Sequence, residues 1–159
     1  MRTFKLPAVP PFSLASVIQS HGWYQLAPFQ YEPAEGVLTY TARLDSGRLL
    51  QLNLTQSGTG VSAAYEPELT HTETSEVSRM VTWMLGLDQQ FGVFYQLCRD
   101  EPALAQSEPL ARGRLLRSPT LFEDVVKTIL TTNTAWSGTK RMTMRLVTLY
   151  GEPVPAQPI

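Results

Sequence analysis

The sequence predicts an α+β fold: an antiparallel sheet with one short helix first, then a layer of helices. Three observations carry this. Between Val37 and Tyr65, apolar residues recur at every second position in runs joined by Gly-containing turns. Beyond Pro67 the apolar spacing changes to i, i+3, i+4, i+7 and keeps that period to Leu149. The 159 residues are 43% hydrophobic and 17% charged, enough apolar matter for a packed core and too little charge for a disordered chain.

Met1–Pro11, with prolines at 7, 10 and 11, reads as an extended lead-in. Ser13 is placed to cap a short helix carrying Leu14, Val17 and Ile18, which Gly22 ends. The aromatic-rich Trp23–Tyr31 reads as an edge strand that Pro28 interrupts. Three strands follow, over Val37–Leu44, Leu50–Thr55 and Val61–Tyr65, with turns at Asp45-Ser46-Gly47 and Ser57-Gly58-Thr59-Gly60. Their alternation gives one apolar and one wet face, the pattern of an antiparallel meander. Val77, Met80, Val81, Met84 and Leu85 mark a helix with Gly86 as its C-cap. Asp88 is placed to cap the next helix, which carries Phe91, Phe94, Tyr95 and Cys98. Pro102 and Pro109 bracket a short turn. Ser118-Pro119 is a strong helix start, and Thr120 with Glu123 has capping-box spacing. Phe122, Val125, Val126, Ile129 and Leu130 form the cleanest amphipathic stripe of the chain. Asn133–Gly138 interrupts it, and Met142, Leu146 and Leu149 mark a last helix before Gly151. The expected organisation is a sheet domain over residues 1–70, a helical region over 71–151 and a loose tail over 152–159.

Composition excludes several function classes. One cysteine, Cys98, and two histidines, His21 and His71, leave no disulfide framework and no cysteine or histidine metal cluster, so neither metal nor cofactor is expected. No apolar run approaches the roughly 20 residues of a membrane span. Met1–Pro7 lacks the apolar core of a secretory leader, which points to a cytoplasmic protein, nucleoid-associated in a bacterium. The net charge of −1 conceals a split. Residues 1–111 hold 6 Lys+Arg against 11 Asp+Glu, and residues 112–159 hold 7 against 3. A basic C-terminal part points to an anionic partner; the plainer reading is an ordinary solvated helix surface.

The residues assemble no catalytic site. Glu123 and Asp124 are adjacent on a helix and diverge by about 100°, so they do not work as a carboxylate pair, and Glu123 reads as a cap. Ser57–Gly60 lacks the lysine and helix of a phosphate loop. Neither histidine has a serine or cysteine partner, and Cys98 lies on an apolar stripe as a small core residue.

In the C-terminal part, Arg114-Leu115-Leu116, Pro119, Phe122-Glu123, Ile129-Leu130, the Thr132–Trp136 break and Leu149-Tyr150-Gly151 follow one another in order. This run, with the upstream "SHGWYQLAPF" and the strands after it, resembles the helix–hairpin–helix DNA glycosylases, in their 3-methyladenine and 8-oxoguanine branches. The resemblance covers most of residues 12–151. It implies base-excision repair on double-stranded DNA. It also implies that the family's Gly-rich hairpin and catalytic Asp would lie beyond Ile159, so that this chain is an N-terminal part without catalytic residues.

The resemblance places a wedge residue, which fills the gap left by an extruded base, at Asn133, with Thr134 and Trp136 beside it. The bland alternative for Asn133 is a helix C-cap, and for Trp136 a core or rim aromatic. Arg112, Arg114, Lys140 and Arg141 are the expected phosphate contacts. Gly138 stands where the 8-oxoguanine branch has the arginine that reads the orphaned cytosine, so an alkylated base fits better. The rival reading is a non-enzymatic DNA- or protein-binding module of the same fold. Val125, Ile129, Met142 and Leu146 are expected to lie exposed, as a seam for self-association or for a missing C-terminal half.

Overall fold

A computed structural model describes residues 1–153. The alternating segments form β3 (Val37–Arg43), β4 (Leu49–Ser57) and β5 (Gly60–Glu66), each antiparallel to the next. Register follows the pleat, so side chains of one face line up across the sheet. Leu38 pairs with Leu54, and Leu54 with Ala63. Thr39 and Asn53 meet on the opposite, wet face, where their side chains hydrogen-bond at 2.8 Å.

Two further strands complete the order β1-β5-β4-β3-β2. The expected extended lead-in is itself β1 (Arg2–Pro7), antiparallel to β5, with Phe4 opposite Ala63 and Leu6 opposite Val61. Phe4 and Leu6 alternate with Thr3 and Lys5, a short period-2 signal that the neighbouring prolines obscured. The aromatic-rich segment is only partly an edge strand. Gly22–Gln25 is a 3-10 helix, Pro28 follows a cis peptide bond, and β2 covers Gln30–Glu32 alone. His21 caps the 3-10 turn through its Nδ1, which accepts the Trp23 N–H; burial pushes its imidazole pKa below the ordinary value.

The apolar face of the sheet is covered by α1 (Leu14–Ile18) and α2 (His71–Leu85). Ser13 caps α1 as expected. Thr70 and Glu73 form a capping box at the start of α2, and Gly86, at φ 58°, ends it in the left-handed region. The Glu73 carboxylate also takes the Ser46 hydroxyl and the Arg48 guanidinium, tying α2 to the β3–β4 turn. Leu14, Val17 and Ile18 of α1, and Val77, Val81, Met84 and Leu85 of α2, are buried with the sheet residues in one core. That core spans both sides of residue 70 and reaches Leu116.

The next helix, α3, covers Gly92–Arg99. Asp88 does not cap it: the N-cap is Phe91, with no side-chain hydrogen bond, and Asp88 is exposed three residues before it. Tyr95 and Cys98 point inward, while Phe94 is partly exposed. Two antiparallel helices, α4 (Leu121–Thr131) and α5 (Trp136–Tyr150), close the described chain. Neither gives a residue to the hydrophobic core. The tail expected over 152–159 lies outside the described residues beyond Pro153. Among the described residues, no helix is long and apolar enough to cross a membrane, and no group of His, Cys, Asp and Glu is arranged to hold a metal.

Candidate nucleic-acid interface

The helix α4 is amphipathic in the reverse sense to a surface helix. Its inward residue is Lys127, 2% exposed, whereas Phe122 is 79% and Ile129 60% exposed. The inward face is polar because it docks on a polar patch of the sheet lobe. Lys127 Nζ donates to Glu123 Oε1 at 2.5 Å and to Ser118 Oγ at 3.2 Å, and lies 4.5 Å from the centre of the Phe29 ring. Glu123 also accepts the Tyr40 hydroxyl from β3 at 2.7 Å. Asp124 accepts the Trp23 indole N–H at 2.8 Å and the Ser118 N–H at 3.0 Å. Burial lowers the Lys127 pKa and raises that of Tyr40; the Glu123 carboxylate opposes the first effect and adds to the second.

This network explains where the helix begins. Ser118 is buried, and its N–H, carbonyl and hydroxyl bond Asp124, Trp83 and Lys127. The cap therefore falls to Thr120, whose hydroxyl accepts the Glu123 N–H. Glu123 does not close a reciprocal box, because its carboxylate turns to Tyr40 and Lys127. Sequence reasoning missed this joint. The signal available was the i, i+4 pair of Glu123 and Lys127 on the face opposite the apolar stripe.

At the far end of α4 the chain turns through Asn133, exposed and at φ 52°, a conformation that Asn adopts more readily than most residues. Thr134 is exposed beside it, and its hydroxyl fills the space where a side chain on Gly138 would begin. Trp136, the first residue of α5, braces the turn against the sheet lobe. Its indole N–H donates to Gln25 Oε1 at 3.0 Å, and its ring lies so close over Gly22 that a Cβ there would overlap it. The turn is therefore held from one side and open on the other. Along α5, Lys140, Arg141 and Arg145 are exposed, while Thr139 and Thr143 face inward.

The four expected phosphate contacts separate. Lys140 and Arg141 stand on α5 within two turns of Asn133. Arg112 is exposed but outside the hairpin, in a shallow groove along α1 with Ser16, Gln19 and Ser20. Arg114 is a correction: it is 2% exposed and turned into the protein. Its guanidinium donates to the carbonyls of Gly86, Pro11, Val9 and Gln89 at 2.6–2.9 Å, between the rings of Phe12 and Phe91. With four of its five donors on carbonyls and the side chain buried, the guanidinium is out of reach of a phosphate.

The fold is similar to that of the 3-methyladenine DNA glycosylase from Archaeoglobus fulgidus, with a TM-score of 0.73 at 20% sequence identity. The likeness takes in 100% of this chain and 54% of that one, so the chain spans about half the length of the protein it matches. No protein-family model matches the sequence. No curated protein matches it either. At this identity the likeness establishes the architecture: a five-stranded antiparallel sheet with helices, in the arrangement of a DNA glycosylase.

Proposed function

We propose that this chain is the N-terminal part of a base-excision DNA glycosylase, of the alkylated-base type, and that by itself it binds duplex DNA without excising a base. The observation that carries the reading is the Asn133 turn: an exposed Asn at positive φ, braced by Trp136, next to the exposed Lys140 and Arg141, on a glycosylase-like fold. An Asn amide offers a donor and an acceptor to an unpaired base edge. A residue held rigidly at such a tip can fill the gap that a flipped nucleotide leaves. Lys140 and Arg141 supply the sequence-independent phosphate attraction.

The carboxylates of the hairpin favour binding without cleavage. Cleaving an N-glycosidic bond needs a group that stabilises positive charge on the sugar or activates water. Glu123 and Asp124 are engaged inward with Tyr40, Lys127, Trp23 and Ser118. Each also stands about 14 Å of helix rise from Asn133.

The test is a titration of duplexes with and without an abasic gap, at several salt concentrations. Two or three phosphate contacts give a slope of log K against log salt of about −2 to −3. Replacing Lys140 and Arg141 by Ala should flatten that slope by about 1.8. Asn133→Gly keeps the positive φ and removes the amide, so it should weaken the gapped duplex selectively. Equal loss on both duplexes removes Asn133 from the wedge role. Incubation with duplexes carrying 3-methyladenine, 7-methylguanine or 8-oxoguanine should release no base above the spontaneous rate; release abolished by a carboxylate substitution would overturn the inactive assignment.

A further inference from the structure

The groove between α1 and the segment Arg112–Leu115 holds about 390 Å³ and is bordered by Ser16, Gln19, Ser20, Arg112 and Arg114. Among the described residues, no acidic side chain lines it. Arg112 is fixed at its backbone and free at its side chain. Its N–H donates to the Ser107 carbonyl at 2.7 Å, and its carbonyl accepts the Tyr95 hydroxyl at 2.8 Å. On either side of it stand buried Ala111, at φ 49°, and Gly113, at φ 119°. An alanine seldom adopts a positive φ, and such backbone persists where its surroundings impose it. Among the described residues, the Arg112 guanidinium has no ion pair. Arg114 is buried against carbonyls and two phenyl rings, and no described carboxylate pairs with it either. Buried charges are ordinarily paired, so a positive charge without a carboxylate beside this groove points to an anion.

We infer that this groove is a phosphate site on the sheet lobe, which takes a backbone phosphodiester of the duplex bound at Asn133; the inference rests on the DNA reading. The donors suit that ligand. Arg112 offers a planar fork that matches two phosphate oxygens. The Gln19 amide is exposed beside it, and Ser20 Oγ accepts the Leu116 N–H at 3.1 Å, which leaves its own proton to donate. Arg114 acts by charge alone, from a buried position where salt screens it little. The location suits a duplex as well. Ser20 stands two residues, at most about 7 Å, from Gly22. Gly22 lies under the Trp136 ring, and Trp136 is three residues from Asn133. The path from groove to wedge is therefore shorter than one duplex turn of about 34 Å. A strand engaged at the tip would reach Arg112 without bending.

The experiment has two arms on the full chain. In the first, duplex affinity is measured against salt. Arg112→Ala should reduce the slope of log K against log salt by about 0.9, one phosphate contact. Arg112→Lys keeps the charge and should keep the slope while weakening affinity, because the fork is lost. Gln19→Ala removes a neutral donor and should weaken affinity with the slope unchanged. Arg79→Ala removes the same charge from an exposed site on α2 and should leave both unchanged. In the second arm, inorganic phosphate is titrated and followed by amide NMR. Shifts at Gln19, Ser20 and Gly113 are expected in wild type and should vanish in Arg112→Ala. If the Lys140 and Arg141 substitutions flatten the slope but Arg112→Ala does not, the groove assignment is overturned and the DNA reading stands. If the chain binds no duplex, the DNA reading fails; phosphate shifts would then give the groove to a free phosphate ester and overturn its DNA role. A wild-type groove that phosphate leaves unshifted overturns the site itself.

Discussion

Arg114 was expected to touch phosphate, and its placement makes a stability prediction instead. Its four hydrogen bonds join the segment after β1, at Val9 and Pro11, to the segment after α2, at Gly86 and Gln89. Arg114→Ala removes the charge and leaves those carbonyls without that donor. Hydrogen bonds to a charged group are worth about 1.5–3 kcal/mol each, yet such networks do not sum, and burying the guanidinium has its own cost. Buried acceptors left without a donor cost about 1–3 kcal/mol each, and the void left by the side chain adds to this, so a total of about 3–5 kcal/mol is expected. For a chain of this size each kcal/mol moves Tm by about 2–4 °C, so a fall of about 10–15 °C is expected. Arg114→Lys keeps the charge and loses the planar fork, so it should fall between. Arg112→Ala, two residues away on the surface, should stay within about 0.5 kcal/mol of wild type. Thermal melts followed by circular dichroism, beside DNA titrations of the same variants, decide the matter. If Arg114→Ala melts within about 2 °C of wild type and flattens the salt dependence of DNA binding, the buried-clamp reasoning is wrong.

Other outcomes follow from the same contacts. His21 has its pKa lowered by burial, so the unfolded chain binds the proton first as pH falls. Its contribution to stability is complete above about pH 6.5 and declines below it. Melts at pH 7.5 and 5.5 should show that loss, and His21→Asn should reduce it. Gly22→Val drives a side chain into the Trp136 ring and should cost about 1–3 kcal/mol while shifting tryptophan fluorescence. An unchanged spectrum would show that Trp136 does not brace the turn there. Lys127→Met is nearly isosteric, replaces the buried ammonium, and leaves Glu123 with Tyr40 alone; it should destabilise by about 1–3 kcal/mol in urea unfolding.

Much of the fold was legible because its signals are local and periodic. The alternation through Leu38, Tyr40, Ala42 and then Leu50, Leu52, Leu54 fixes which face of the sheet is buried. Gly86 at the end of α2 and Ser13 before α1 act as their residue types predict. The misses share a cause: long-range partners set the outcome. β1 is a strand because β5 offers an edge, and the short alternation of Phe4 and Leu6 among the prolines does not reveal that partner. Of the two caps the sequence offers for α4, Thr120 serves and Ser118 does not, because Trp83, Asp124 and Lys127 have taken Ser118, while Glu123 is drawn away from the box by Tyr40 and Lys127. Arg114 differs from Arg112 only in what surrounds it. On the site, Asn133, Lys140 and Arg141 are exposed, while the interior joint of Tyr40, Glu123 and Lys127 escapes a reading that treats charges as surface.

The reversed polarity of α4 also bears on motion. The sheet, α1 and α2 complete their core without a side chain from the last two helices. The hairpin is attached by a few directional bonds at Lys127, Glu123 and Asp124 and by the Trp136 strut. Segments with little buried apolar surface open at free energies well below that of global unfolding. Amide hydrogens of α4 and α5 should therefore exchange together and early, long before those of β4. The two helices form their own cooperative unit, hinged on polar contacts, and whatever covers their outer face would set how often that unit opens.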